Sequence, residues 1–543
     1  MKILLLSSLS KVFKDKEQNL KEFTEFSSFK NEPFSFQVMI YPEKKEEENI
    51  SFNISSVLKN QISTYIVEDI PSEYHKQDNA DDFFYEKKEK YPDLLRPCEN
   101  RLTLKAGNRY SLWVKYKPVK DISGKKRIKL TFEFDGKTEE KLFTLNIINK
   151  DLPEQELLFT NWFHNDCLCS YYGVKIFSRK YWDIVRKYIK NAAEHGINLL
   201  LTPVFTPPLD TAVGGERPTV QLVDVEKNGD KYTFSYKNFE KYVKICLESG
   251  IKAFEISHFY TQWGAKYAPK IVARVNGRTR RIFGWDTEGT GEEYTSFLTQ
   301  FALSFDEEVT KLGIKDRCFL HVSDEPNLEC MESYKKASDI LHSLFKGYRF
   351  FDALSDIEFY RSGLVDTPVP CENNVEIFKP EVKNLWTYYC CGQTRSCVPN
   401  RMFAMPSQRN RILGILLYKY NAEGFLQWGH NFWYSQHSVR EINPFLESDA
   451  GKAFPSGDSY VVYPGENGEP LNSLRHEVFY EGFCDMRALK LLESLTSREY
   501  AIKILEYDLD MPLTFTNYPH TYSWLLETRK RINDEIIRQC KER

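Results

Sequence analysis

Apolar and polar residues alternate with a period of two through the first third of the chain, most clearly at 34–40, 110–116, 128–134 and 142–147. That period belongs to strands with one buried face. Turn pairs such as Asp135-Gly136 punctuate the runs and favour hairpins. The pattern predicts an all-β N-terminal domain over 1–153, with a β-sandwich as the simplest way to bury one face of each strand. The opening Met1-Lys2-Ile3-Leu4-Leu5-Leu6 reads as its first strand rather than a signal peptide. Its apolar run is short, no small-x-small site follows, and 11–17 is strongly charged. A second charged run, 43–48, predicts a solvated loop, and Asp151-Leu152-Pro153 predicts a hinge.

Beyond the hinge, short apolar runs alternate with stretches of 3.6-residue period. Candidate strands are 157–163, 197–204, 251–257, 318–323, 348–354, 385–389, 424–428 and 460–463. Helical patterning covers 180–195, 236–249, 292–312, 329–345, 407–420 and 474–495. Gly196, Gly250, Gly313 and Gly347 stand just before strands, where a helix has to stop. Eight strands with mostly intervening helices predict a (β/α)8 TIM-like barrel over 154–500. The helix after Leu354 is short, and 367–370 offers an alternative strand. A C-terminal helical extension, 501–543, carries the charged amphipathic segment 523–540. The fold class is therefore multidomain α/β.

Lys and Arg number 74 against 77 Asp and Glu, a formal charge of −3. That near-balance argues against nucleic acid or an anionic membrane as partner. No run approaches the ~18 apolar residues of a membrane span. Aromatic residues make up 15% of the chain, and their flat apolar faces suit sugar rings. The twelve cysteines are scattered, and without an export signal they are expected to be reduced thiols in a cytoplasmic protein. Cys167-x-Cys169 and Cys390-Cys391 with Cys397 lack zinc-site spacing, so neither metal nor cofactor is expected.

In such a barrel the loops after the strands converge on one face, where active sites are built. After the first strand come His164, Asn165 and Asp166; after the second, Asp210 and the glycine-rich loop 214–218 with Arg217. The third contributes Glu255, His258, Gln262 and Trp263; the fourth ends in Asp324-Glu325-Pro326. The sixth carries Trp386, Tyr388 and Tyr389, and the seventh Trp428, His430, Asn431 and Trp433. Each has a bland alternative. Trp162 and Trp386 sit within strands and suit barrel filling. A lone histidine is more often a hydrogen-bonded structural residue. Arg217 either clamps an anion or pins its loop. His164, Asp166, His258 and Asp324 would suit a metal site, but the His-x-His expected on a first strand is absent. Asp324-Glu325 itself could be a helix N-cap. Read chemically, two acids so close cannot both ionise cheaply, so one pKa is pushed up, and a proton donor beside an ionised partner is equipped to cleave an acetal.

The runs His321-Val322-Ser323-Asp324-Glu325-Pro326, Gly424-Phe425-Leu426-Gln427-Trp428-Gly429, Asn431-Phe432-Trp433 and Gly457-Asp458 with Val462-Tyr463-Pro464 resemble glycoside hydrolase family 123 and the bacterial proteins grouped as domain of unknown function 4091. The likeness covers about 150–495. It implies a β-N-acetylgalactosaminidase acting by substrate assistance, in which the 2-acetamido oxygen attacks C1 to form an oxazolinium ion. Carried over, Asp324 orients the acetamide N–H and Glu325 is the general acid/base. The implied partner is an N-acetylhexosamine-containing glycan. The substrate-binding candidates are His164, Asp166, Glu255, His258, Trp263, Trp386, Tyr388, Tyr389, Trp428, Asn431 and Trp433. Among them Tyr388 or Tyr389 is placed to hold the acetamide oxygen, and Trp428 to floor the ring. Two other readings remain open: a two-carboxylate glycosidase pairing Glu325 with Glu255, and a carbohydrate-binding protein without turnover.

Overall fold

The period-two runs of the N-terminal region fold into two five-stranded sheets in a computed structural model that describes residues 1–43, 47–85 and 89–542. One sheet runs Lys2–Ser7, Phe34–Tyr41, Tyr110–Tyr116, Ile62–Ser72, Glu89–Pro97, antiparallel throughout. The other runs Glu25–Phe29, Lys137–Ile148, Gly124–Phe134, Glu47–Ser55, Arg101–Lys105. Phe36, Val38 and Ile40 of the first sheet meet Leu130, Phe143 and Leu145 of the second in one core, with Phe36 and Phe143 stacked at 4.3 Å. Asp135 and Gly136 both take positive φ, 47° and 68°, the two-residue turn whose twist matches paired strands. Of the charged run expected to be a loop, 44–46 lie outside the described residues, whereas Glu47–Ser55 is a strand with Glu48 buried.

The second half carries eight short parallel strands, divided between two sheets. Leu199–Thr202, Ala253–Ile256, Cys318–Leu320, Arg349–Ala353 and Thr367–Val369 form one; Trp386–Tyr388, Gly424–Gln427 and Leu158–Asn161 form the other. Their edges approach twice. Cys371 bridges Tyr388, and Asn198 donates its backbone N–H to Phe159 O at 3.1 Å while its Oδ1 accepts the Phe159 N–H at 2.8 Å. The expected strand at 460–463 is not among them. Val462–Pro464 pairs antiparallel with Pro470–Asn472 outside these sheets, and Thr367–Val369 takes the vacant position. Tyr460-Val461-Val462-Tyr463 has the stronger β composition, but a three-residue strand between acidic and proline-rich turns has no room for a period to show.

The expected helices are found at Arg179–Glu194, Lys237–Ser249, Glu292–Lys311, Met331–Leu344, Ser407–Tyr420, Leu474–Leu495 and Tyr522–Glu542. Not anticipated were the helix Asn165–Tyr172, directly after the first strand, and a four-stranded sheet built from Asp224–Asn228, Lys231–Ser235, Ile271–Val275 and Arg278–Phe283. The last helix is secured by Arg529, buried between Glu32 of the N-terminal region at 2.7 Å and Asp485 at 2.6 Å.

Ser407–Tyr420 and Leu474–Leu495 touch backbone to backbone: a Cβ on Gly414 would stand 1.8 Å from Gly482 O. Neither helix can retreat without unpacking its other buried face, so Gly414→Ala is expected to cost about 1–3 kcal/mol or more. A lowered thermal midpoint would show it; an unchanged melt would refute the close approach.

Candidate active site

The parallel strand Cys318–Leu320 stops at the rim, and the chain continues through His321-Val322-Ser323 to the paired acids. On a regular strand, neighbours would face opposite sides. Here Glu325 takes φ 44°, a left-handed conformation that costs a non-glycine residue about 1–2 kcal/mol. Its N–H is held by Ala353 O at 3.1 Å. This turn brings both side chains to one pocket, a cavity of about 150 Å³. Trp162, Trp263, Tyr388, Trp428 and Phe454 supply its aromatic wall.

The two acids have different surroundings. Asp324 is buried and accepts a hydrogen bond from Gln262 Nε2 at 2.7 Å, while Gln262 Oε1 holds the Asp210 N–H at 2.6 Å. Burial, and then the neighbouring Glu325 carboxylate, push Asp324 up to about 8. Glu325 is exposed in the pocket and accepts a hydrogen bond from the Tyr388 hydroxyl at 2.7 Å. Two of the indoles are locked by carboxylates behind them: Trp428 Nε1 donates to Asp458 at 2.9 Å and Trp162 Nε1 to Glu255 at 2.7 Å.

Under this floor lies a dry ion cluster. His321 bonds Glu255 Oε1 through Nε2 and Asp352 Oδ1 through Nδ1, both at 2.7 Å. Burial opposes its charge, but the two carboxylates prevail and raise His321 to about 9. Asp352 also accepts the Tyr334 hydroxyl and the Val322 and Ser323 N–H groups. Glu255 further accepts the Thr160 hydroxyl.

Asp324, Glu325, Trp263, Tyr388 and Trp428 therefore meet at one pocket, as the sequence suggested. The other candidates stand elsewhere. Glu255 is buried with both oxygens engaged and does not line the cavity. His258 lies behind it, stacked on His321 at 4.0 Å. Atoms of His258, His321 and Asp352 fall within 4.8 Å of one another, as a metal site would require, but His321 already uses both ring nitrogens. The unforeseen helix Asn165–Tyr172 carries His164 and Asp166 away from the pocket. Arg217 grips Asp166 at 2.8 and 2.7 Å and His164 Nδ1 at 3.1 Å, pinning the glycine-rich loop. Burial, followed by Arg217, drives His164 down to about 3, so its imidazole is neutral. Asn431 completes that knot through the His164 backbone, accepting its N–H at 2.9 Å and donating to its O at 3.0 Å.

Parity and depth explain the remaining misplacements. Trp386 shares the inward face with Tyr388 but one layer lower, where it fills the interior and donates to Glu423. Tyr389 points the opposite way and packs on Phe425 at 5.1 Å. Trp433 is buried against Tyr171 and Tyr188. Asp210 and Gln262, expected on the rim, do line the pocket, whereas His437, Phe454 and the Cys390-Cys391 pair as wall residues and Asp458 behind Trp428 were not foreseen. Residues 436–437 lie in a single 3-10 turn and 454–458 in irregular chain, neither long enough to show a period.

An aromatic pocket with paired acids at the ends of parallel strands suits the binding of a sugar, and comparison with known proteins shows a carbohydrate-cleaving enzyme. The model of the glycoside hydrolase 123 catalytic domain matches residues 162–492. The chain belongs to glycoside hydrolase family 123. The whole chain is similar in structure to a family 123 glycoside hydrolase from Clostridium perfringens, described in a study of glycolipid glycan hydrolysis: TM-score 0.75, 15% identity, 100% of this chain and 97% of that one. Weaker likenesses are to Bacteroides uniformis beta-glucuronidase 3 (TM-score 0.32, 12% identity, 86% of this chain and 51% of that one). A family 5 glycoside hydrolase from Bacteroides vulgatus gives TM-score 0.35 at 11% identity, over 63% of this chain and 68% of that one. No curated protein sequence matches the chain.

The buried acid has a pH signature. Asp324 releases its proton near 8 when folded but near ~3.9 when unfolded, so its contribution to stability is full below ~4 and is lost as pH rises through 8. Asp324→Asn is expected to melt about a few degrees above the native protein at pH 9, the gap closing toward pH 4. Paired thermal scans across that range check it; a gap that widens on acidification would contradict the assignment.

Proposed function

We propose that the protein is a retaining β-N-acetylhexosaminidase of the N-acetylgalactosaminidase type, in which the substrate's own acetamide is the nucleophile. The observation that carries this reading is the consecutive pair Asp324-Glu325 at one pocket, one acid buried and the other exposed. In ordinary retaining enzymes two carboxylates flank the sugar ~5–5.5 Å apart. Consecutive acids on one side suit different atoms of the same sugar instead. In this reading the eight strands close as a (β/α)8 barrel behind an N-terminal β-sandwich, which sets the pair at the barrel mouth.

The steps follow from the partners. The acetamide N–H of the bound sugar donates to Asp324, which favours its carboxylate form, and the proton of the pair passes to Glu325. The acetamide oxygen attacks C1 while the C1–O bond to the leaving group breaks and that oxygen takes the proton from Glu325. The cyclic oxazolinium that results keeps its N–H on Asp324, whose negative charge stabilises it. Glu325 then removes a proton from water, whose oxygen attacks C1 and reopens the ring. Two displacements at C1 return the original anomeric configuration. Tyr388, donating to Glu325 at 2.7 Å, orients the acid/base, and Trp428 offers the ring a flat apolar face. The alternative of Glu255 as nucleophile is disfavoured by its place beneath the floor with both oxygens occupied. The Clostridium perfringens relative is described for glycolipid glycans, and a β-linked N-acetylgalactosamine of such a glycan is the proposed substrate.

Glu325→Gln is expected to slow hydrolysis of an aryl N-acetyl-β-galactosaminide by about 10²–10⁴-fold, and a thiazoline sugar analogue to inhibit the native protein. Full activity in the variant would remove Glu325 from the reaction. Aryl glycosides differing only at C2 and C4 test the assistance itself: equal cleavage of a plain 2-hydroxy glycoside would sink it. Tyr388→Phe is expected to lower kcat about tenfold and to displace the acidic or basic limb of the pH–rate profile; an unchanged profile would deny it the orienting role.

A further inference from the structure

Of the twelve cysteines, all free thiols, only Cys390 and Cys391 line the pocket. They are adjacent in the chain and half-buried. The Cys390 backbone is fixed on both sides. The Cys390 N–H donates to Gln393 Oε1 at 2.8 Å, and Asn400 Nδ2 donates to Cys390 O at 3.0 Å. The pair shares the pocket wall with Tyr388, which holds Glu325, and with Trp428, which is held by Asp458. Nothing in the proposed hydrolysis uses either sulfur.

We propose that Cys390 and Cys391 form a dithiol site in the pocket wall that captures trivalent thiophiles of the dihydroxyarsine class, and that its occupation shuts the pocket. The blocking half of this inference rests on the pocket being catalytic; the capture half does not. Each S–H and each As–OH bond is exchanged for an S–As bond and a water molecule. Two thiols and one dihydroxyarsine thus give a cyclic dithioarsinite and two waters, with arsenic still trivalent and no electrons transferred. The product is uncharged, which suits a wall shared with the paired acids Asp324 and Glu325. The neighbouring Cys391 thiol, burial and the Glu325 and Asp458 carboxylates hold the Cys390 thiol well above its usual range. Reagents that need a free thiolate at Cys390 are therefore disfavoured, whereas a two-point exchange that ends in neutral bonds is not.

The test uses the reduced full-length protein and phenylarsine oxide, read by intact mass, peptide mapping and hydrolysis of an aryl N-acetyl-β-galactosaminide. About one equivalent is expected to add a single phenylarsenic group on the peptide carrying 390–391 and to bring hydrolysis to background. Dithiothreitol is expected to reverse both effects and a monothiol such as glutathione neither. Cys390→Ser and Cys391→Ser should each lose the stoichiometric adduct, whatever their own rates. No adduct, or an adduct on other cysteines, overturns the capture. An adduct on the pair with hydrolysis unaffected overturns the blockade. Should the native protein fail to turn over the glycoside, the proposed activity falls separately: the mass readout still decides capture, and calorimetric binding of the thiazoline sugar with and without the adduct decides blockade.

Discussion

The site depends on one buried imidazolium. His321 is clamped between Glu255 and Asp352 with no exposure on any of the three, and those three residues come from three neighbouring parallel strands or their ends. Thr160 and Trp162 attach the first strand to the same knot. Removing one member would strand the charge of the others in a dry interior, a loss of about 3–5 kcal/mol. The knot also aims the chemistry. His321 opens the turn that ends in Asp324 and Glu325, and Asp352 holds the Val322 and Ser323 N–H groups between them. The acids are thus presented by a segment whose backbone is bound to charge rather than to a regular ladder.

That arrangement conflicts with local stability, and the conflict is concentrated where function would need it. Asp324 sits buried beside a second acid, and Glu325 holds a left-handed backbone. Trp263, also left-handed at φ 58°, keeps its indole 41% exposed at the mouth. Such departures persist only where the surroundings over-determine them. The surroundings here do so with aromatic side chains whose polar ends are tied to buried carboxylates.

Much of the architecture was legible because its cause is local. Helices with a strong apolar stripe and a glycine stop were placed within a few residues, as at Lys237–Ser249, ended by Gly250 at φ 99°. Paired acids before Pro326 and the aromatic loops pointed to the strand ends at which the pocket lies. What misled was information that exists only in three dimensions. Trp386, Tyr388 and Tyr389 share one strand, yet depth and parity give them three different fates. His164, Asp166 and Asn431 read as pocket residues because they follow strands, but Arg217, distant in sequence, gathers them into a brace. The strand at Thr367–Val369 is too short for any period to declare itself, and its place was given to the β-rich 460–463.

The Arg529 contact bears on how the molecule is made. Its guanidinium joins Glu32 and Asp485, so Glu32 waits for a residue translated almost five hundred codons later. Until that strut arrives, the turn between Glu25–Phe29 and Phe34–Tyr41 that bears Glu32 lacks its final ionic partner on the ribosome. Closure of so long a loop comes late in folding. A nascent chain stalled before this point would expose a carboxylate meant for the interior, a recognisable mark of an unfinished product.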